Sequence, residues 1–292
     1  MRPLALLFVT LCQAADHRVA ITIDDLPRGG DGDAANYESV RAMTVKLLEP
    51  IQKQKIPVTG FVNEGKMPAP ELRKILNLWL DAGADLGNHT YSHANFYKTP
   101  LEKFEQEVVS GEPVTRAALE ARGKKLEYFR HPFLNTGPNL EAKRAFEKFL
   151  TTRGYQIAPV TLDSSDFIFA LVHPQSDYIP YLTKVVEFFE KRSIEVTGHE
   201  IPQILLIHAN QLNADQMPQI LDMFRNRGYQ FITLKEALKD PAYSMPDDYT
   251  GQGGFTWIYR WSKTRKMKFD TFEPEPPQWI LDQYAKQTSK TP

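Results

Sequence analysis

The feature that most constrains this chain is a repeated alternation between short, largely apolar runs and longer stretches with apolar residues at helical spacing. Runs at 19–24, 58–63, 85–89, 128–133, 156–162, 204–208 and 231–234 read as strands. Between the first two, Val40, Met43, Leu47, Leu48 and Ile51 recur on one helical stripe, with Pro50 predicted to kink it. Pro70 opens a second helix carrying Leu72, Ile75, Leu76, Trp79 and Leu80, and further helices are predicted at 101–121, 139–152, 178–192 and 214–227. Strand-helix alternation implies a largely parallel sheet with its faces covered. The expected fold class is α/β, a distorted (β/α) barrel of about seven strands.

On that frame the polar residues fall in one place. Asp24, Asp25, His89, Arg130, Asp163 and His208 all lie at or just past the C-terminal ends of predicted strands, the rim that carries the site in such barrels.

Each candidate has a bland reading beside a chemical one. His89 and His93 are four residues apart, a spacing that on a helical turn puts both imidazoles on one side, close enough to share an ion. Surface histidines also arise this way. Asp24 and Asp25 are either solvated loop acids or a pair that divides two jobs, one completing a metal triad and one left unligated as a base. Successive strand residues point in opposite directions, so the two need not act alike. Arg130, followed by Pro132, is either half of a surface ion pair or a bidentate clamp on a carboxylate. His208 is either a structural histidine or an acid that protonates a leaving amine.

Taken together these segments resemble the NodB-homology polysaccharide deacetylases, carbohydrate esterase family 4. The resemblance rests on Thr22-Ile23-Asp24-Asp25, His89-Thr90-x-x-His93, Arg130-x-Pro132-Phe133, Asp163-x-x-Asp166-Phe167 and Leu205-x-x-His208, in that order. The segments Pro57–Val62, Gly87–Thr90 and Gly228–Phe231 agree, and the likeness covers residues 17 to 240. It implies a NodB-type barrel with Asp24 as catalytic base and Asp25, His89 and His93 as ligands of one divalent metal, zinc first, with cobalt, nickel or manganese as alternatives. It further implies that Arg130 orients the base, the Phe133 backbone N–H stabilises the oxyanion, and His208 is the general acid. An aspartate of the fourth motif tunes the acid and the arginine. Asp163 and Asp166 both qualify, and Asp166 is favoured because it directly precedes the aromatic. The chain departs from the family pattern at Phe167, where tryptophan is usual, at Phe133, often tyrosine, and at Leu134, where glycine is frequent. The first departure reshapes one wall of the acetyl pocket formed with Pro132 and Phe133.

The implied reaction is hydrolysis of acetyl groups from an acetylated glycan, first a chitin-like or peptidoglycan N-acetylglucosamine polymer. The alternatives are O-acetyl xylan, a small amide, or a non-catalytic metal-holding glycan-binding module. A pure binder has no use for Asp24, Arg130 and His208 together.

The remaining features bound the setting. The 292 residues carry 35 basic and 36 acidic side chains, so no global basic field recruits nucleic acid. Arg2 followed by the apolar run 4–11 and small residues Ala14 and Ala15 reads as a secretory signal over 1–15, too short to span a bilayer. That predicts a periplasmic or extracellular protein. Cys12 is the one cysteine and falls inside that segment, so the exported chain has no disulfide. The chain then divides into the deacetylase domain, 16–240, and an aromatic-rich extension, 241–292, packed on it. In the extension Phe255, Trp257, Tyr259 and Trp261 alternate; as a strand they put four aromatics on one face, for packing or for sugar stacking. Residues 263–268 read as a solvated basic face, 273–277 as an extended stretch and 279–284 as a short helix. His17, His173 and His199 are read as structural or surface residues, and the sequence sets no oligomeric state.

Overall fold

The computed structural model describes residues 17–172 and 175–289; the signal-like segment and His173 lie outside them. The chain begins with β1 (Arg18–Leu26), followed by α1 (Tyr37–Lys53), β2 (Val58–Val62), α2 (Pro70–Arg73), α3 (Ile75–Asp81) and β3 (Asp85–Asn88). Next come α4 (Leu101–Ser110), α5 (Pro113–Glu120), β4 (Tyr128–Phe129), α6 (Leu140–Thr152), β5 (Gln156–Ile157), β6 (Leu162–Asp163), α7 (Asp166–Val172) and α8 (Gln175–Thr197). The chain closes with β7 (Gln203–His208), α9 (Gln211–Asn226), β8 (Gln230–Phe231), α10 (Leu234–Ala237), α11 (Trp257–Thr264) and α12 (Gln278–Thr288).

All described pairings are parallel, in the order β5-β4-β3-β2-β1-β7-β6, with β8 joining the start of β1. The sheet curls into an incomplete barrel, open between β5 and β6. β1 lies at its centre, and from Val19 to Asp24 every residue is buried, because neighbours cover both edges and helices cover a face. The helices start where the sequence supplies a cap. Asn36, Asn139 and Asn210 accept hydrogen bonds from the N–H groups of Ser39, Ala142 and Asn213, satisfying donors that a helix start leaves unpaired. α1 lays its Val40–Ile51 stripe on the sheet and against α9, and Pro50 falls in its last turn, so the helix runs on to Lys53.

Three predicted strands are cut short: 231–234 pairs only at Gln230–Phe231 before Leu234 opens α10, and the other two differences shape the site. The run 156–162 splits into β5 and β6 because Pro159, between them, has no N–H for a ladder. The run 128–133 pairs only at Tyr128–Phe129. Beyond it the backbone turns back through Phe133 (φ 55°) and Leu134 (φ 50°), the left-handed region that glycine enters most easily. The helix predicted at 101–121 is two helices, α4 and α5, separated at Gly111 with Pro113 opening the second. The alternating aromatics of the extension do not form a strand: α11 starts at Trp257 and buries Trp257, Ile258 and Trp261 on one face.

Candidate active site

β1 and β7 run in register with Asp24 opposite His208, so the end of the central strand brings a carboxylate and an imidazole to the same level of the rim. Asp24 is buried, and both its oxygens lie 3.2 Å from Nη1 of Arg130. The guanidinium has no freedom left. Its Nε donates to the Ala158 carbonyl (2.8 Å), Nη2 donates to Thr22 Oγ1 (2.9 Å), and its plane lies 4.5 Å over the Phe61 ring. Thr22 in turn donates to the Leu205 carbonyl at 2.6 Å.

Asp25 turns away from Asp24 because its backbone is left-handed, φ 70°. Its Oδ1 stands 3.4 Å from His93 Nε2 and 3.8 Å from His89 Nε2. The two histidines lie in a loop after β3, not on a helical turn as their spacing suggested. Thr90 (φ 64°) and His93 (φ 61°) bend that loop so that the rings meet at 4.9 Å. Side chains hold the bend: Asn63 Nδ2 donates to the carbonyls of His89 and Thr90, and the Thr90 N–H donates to Asn88 Oδ1 at 2.8 Å. His89 Nδ1 faces the Arg130 carbonyl at 2.8 Å, which makes Nδ1 the protonated nitrogen and leaves a lone pair on Nε2 facing Asp25.

Three observations test these residues as a metal site. One ligand atom from each of Asp25, His89 and His93 lies within 4.8 Å of the others. Asp25 Oδ1 is buried and makes no hydrogen bond, although Lys66 Nζ is 3.3 Å away. Burial, against the pull of Asp25, holds both histidines below their usual range and therefore neutral. A buried oxygen that makes no hydrogen bond, beside two neutral imidazoles, fits a cation of the kind that nitrogen and oxygen ligands hold.

Opposite the triad, Asp166 is fully buried and saturated. It accepts from His208 Nδ1 (2.8 Å), the His208 N–H (3.0 Å), Asn210 Nδ2 (2.6 Å) and Asn213 Nδ2 (2.6 Å). Burial alone would lower the His208 imidazolium, but Asp166 outweighs it and pushes the pKa up to about 10. Burial pushes Asp24 up to about 6, against the pull of Arg130 and His208. Burial also raises Asp25, yet His93, Lys66, His208 and His89 together reverse this and hold it far below the usual carboxylate range. The site therefore presents a carboxylate near its titration point beside an imidazolium, both facing a cavity of about 510 Å³.

Residues 13–147 match the family model described as polysaccharide deacetylase. The resemblance is to the polysaccharide deacetylases. The peptidoglycan-N-acetylglucosamine deacetylase of Bacillus cereus is 23% identical over 225 residues, covering 74% of this chain and 66% of that protein. YheN of Bacillus subtilis, which carries a provisional polysaccharide deacetylase name, is 23% identical over 225 residues, 76% of this chain and 69% of its own. Among solved structures, BA3943 of Bacillus anthracis, a pseudoenzyme of carbohydrate esterase family 4, matches with TM-score 0.56 and 17% identity over 76% of this chain and 66% of that one. A mutant of it with restored enzymatic activity matches with the same TM-score, at 19% identity over 76% of this chain and 68% of that one. At these identities the structural likeness establishes the fold, the NodB-type barrel.

The matched segment of the polysaccharide deacetylase model carries Asp24, Asp25, His89, His93 and Arg130, and ends before Asp163, Asp166 and His208. The structure brings the two groups to one rim. Of the two aspartates in the fourth motif, Asp166 contacts His208, whereas Asp163 accepts from the Ser165 N–H (2.9 Å) and lines the cavity. Neither aspartate hydrogen-bonds Arg130, which Thr22 and Ala158 hold instead. Pro132 opens the turn that places Phe133, and the Phe133 ring packs 4.4 Å from that of His93. Phe167, half exposed, stands 6.1 Å from His208 on the other side. Sequence reasoning passed over Asn63, Lys66, Asn210 and Asn213. Only the Asn210-x-x-Asn213 pair just after His208 carried a signal, as a helix cap. His17 and His199, read as structural or surface residues, lie 2.8 Å from Glu200 and 3.0 Å from Asp240.

Proposed function

We propose that this chain is a metal-dependent deacetylase of an acetylated glycan, with N-acetylglucosamine-containing chains as its first substrate class, acting outside the cytoplasm as the signal-like residues 1–15 suggest. The observation that carries the reading is the division of the rim. A donor set of Asp25, His89 and His93 lies on one side, and two separately secured proton carriers, Asp24 with Arg130 and His208 with Asp166, lie on the other.

Asp25, His89 and His93 would hold a divalent cation, zinc first among those that suit the donors, with cobalt, nickel and manganese as substitutes. Bound there, such an ion supplies Lewis acidity at the acetyl carbonyl and at the attacking water. The chain's own residues do the rest. Asp24, kept in position by Arg130, takes a proton from the water as its oxygen bonds to the acetyl carbon. The Phe133 backbone N–H donates to the developing oxyanion. His208 gives its Nε2 proton to the leaving nitrogen as the carbon–nitrogen bond breaks, and acetate and a free amine result. Asp166 keeps the imidazolium oriented throughout, while Phe133 and Phe167 flank the sugar.

Known relatives include a pseudoenzyme, so a glycan binder without turnover is the competing reading. The pairing of Asp24 with Arg130 and of His208 with Asp166 favours catalysis, since binding alone requires neither. O-acetyl xylan and small amides remain the alternative substrates on the same machinery. The test is acetate release from N-acetylglucosamine oligomers by the purified protein, before and after chelation and after zinc is restored. Acetate that vanishes with the chelator and returns with zinc supports the reading. Tight zinc and oligomer binding with no acetate from N-acetyl, O-acetyl or small-amide substrates overturns it in favour of the binder.

A further inference from the structure

The cavity is not walled by the barrel alone, and the rest of its wall comes from the segment beyond residue 240. The barrel is open between β5 and β6, and α11 lies across that gap, with the Trp257 N–H donating to the Val160 carbonyl at 2.7 Å. Just before α11, the chain runs along the loop that carries Phe133. Asn135 Nδ2 donates to the carbonyls of Gly251 (2.9 Å) and Gln252 (3.1 Å). Gly254 then passes so close to Phe133 that a Cβ on it would stand 1.8 Å from the Phe133 carbonyl oxygen. Beyond α11 the chain returns on the opposite flank. α12 packs on α7, burying Ile280 completely and setting the Tyr284 ring edge-on to Phe167 at 6.0 Å. Gly254 and Tyr284 both line the cavity, one on the Phe133 side and one on the Phe167 side.

The α11 side of this wall is anchored, which distinguishes it from a lid. Arg260 of α11 is fully buried; it donates to the Leu134 carbonyl at 3.0 Å and to Thr136 Oγ1, and pairs with Asp247 at 2.8 Å. Lys143 of α6, also buried, pairs with the same Asp247 at 2.7 Å. A buried charge with several partners holds one geometry, because any displacement strands it.

Accepting the proposed reaction as its basis, we propose that this segment turns the rim into an end-closed pocket. The pocket takes one or two acetylated sugar rings, a chain terminus or a short oligosaccharide, and excludes the interior of a long strand. A strand held at its middle must leave the site in both directions. Here the floor is the barrel, one flank carries Gly254 over Phe133, and the other carries Tyr284 against Phe167. The cavity volume, about 510 Å³, lies within the ~300–1,000 Å³ of sites that enclose a small ligand. The paired rings of Phe167 and Tyr284 offer an apolar face on which one sugar can pack, at the flank of the cavity.

The test measures affinity calorimetrically for N-acetylglucosamine oligomers of one to six rings. Wild type is expected to gain affinity from one ring to two and then stay level. Tyr284→Ala opens the flank, so its affinity is expected to rise about five-fold from two rings to six, the scale of one added aromatic–sugar contact. Tyr284→Phe keeps the wall and is expected to keep the plateau, which separates loss of the wall from loss of fold. Affinity that climbs steadily through six rings in wild type overturns the inference, as does a plateau unchanged in Tyr284→Ala. Acetate release from a protein with climbing affinity removes the closed pocket and leaves the reaction standing. A plateau without acetate release under any metal does the reverse, and no binding of any oligomer removes both.

Discussion

The two sides of the site are built by opposite means. On the proton side every polar group already has its partners: Asp166 accepts four hydrogen bonds from His208, Asn210 and Asn213, and Arg130 spends its donors on Asp24, Thr22 and Ala158. On the triad side the order lies in a bent backbone that Asn63 and Asn88 hold. Asp25, Thr90 and His93 hold positive φ, while Asp25 Oδ1 is buried without a hydrogen bond. One side is complete as folded, and the other keeps a buried oxygen free to take a ligand. Fully satisfied polar networks fix geometry, whereas an unsatisfied buried oxygen is a cost that a ligand relieves.

The contrast predicts unequal responses to substitution. The largest effect is expected at the triad. His93→Ala or Asp25→Ala abolishes zinc uptake measured by metal analysis and lowers acetate release by at least about 10³-fold, and His93→Ala leaves the metal-free melting temperature nearly unchanged. A melting temperature that collapses in the metal-free variant would show that the triad is structural. Next, Asp24→Asn keeps the hydrogen-bonding shape beside Arg130 but cannot accept the proton. A fall of about 10² to 10⁴ in kcat with zinc binding intact is expected. Full activity in this variant would displace Asp24 as base.

Asp166→Asn sharpens the comparison on the proton side. His208 loses the charge that raises it, so kcat drops by about 10²-fold and the alkaline limb of the pH profile moves to lower pH, which a pH–rate series reads directly. In the wild type the acidic limb follows Asp24: activity rises with pH as that carboxyl ionises, through about 6 in the metal-free site. The alkaline limb follows His208, at about 10 there, and a bound cation draws both limbs lower. The smallest effect concerns stability. His208 is raised above its unfolded value of 6.5, so the contribution of the His208–Asp166 pair is whole below pH 6.5 and lost as pH climbs through about 10. Melting temperatures across that interval fall in the wild type, and the slope flattens in His208→Asn.

Much of the site was legible because strand ends are legible. Apolar runs at β1, β3, β4 and β7 stop at Asp24, His89, Arg130 and His208, and parallel packing leaves those ends on one rim. The mode of assembly was not legible. The His-x-x-x-His spacing suggested a helical turn, while the structure uses positive φ at Thr90 and His93, which no residue type there announces. Pro159 announced a strand break that the apolar run concealed, and the break opens the seam under α11. The alternation of Phe255, Trp257, Tyr259 and Trp261 imitated a strand, yet burial follows Trp257, Ile258 and Trp261, a helical face. Tyr284 and Gly254 could not be found by spacing at all, since their place at the cavity exists only after the whole barrel has formed.

The anchoring of α11 through Arg260 to the Leu134 carbonyl has a consequence for how such a protein diversifies. The helix grips the turn next to Phe133, the proposed oxyanion donor, whereas Asp24 and His208 are secured by Arg130 and Asp166 of the barrel. Changes in the final fifty or so residues that spare this grip can therefore alter which molecules are admitted while the two proton carriers are inherited unaltered. A lineage could exchange one diet for another by rewriting its tail.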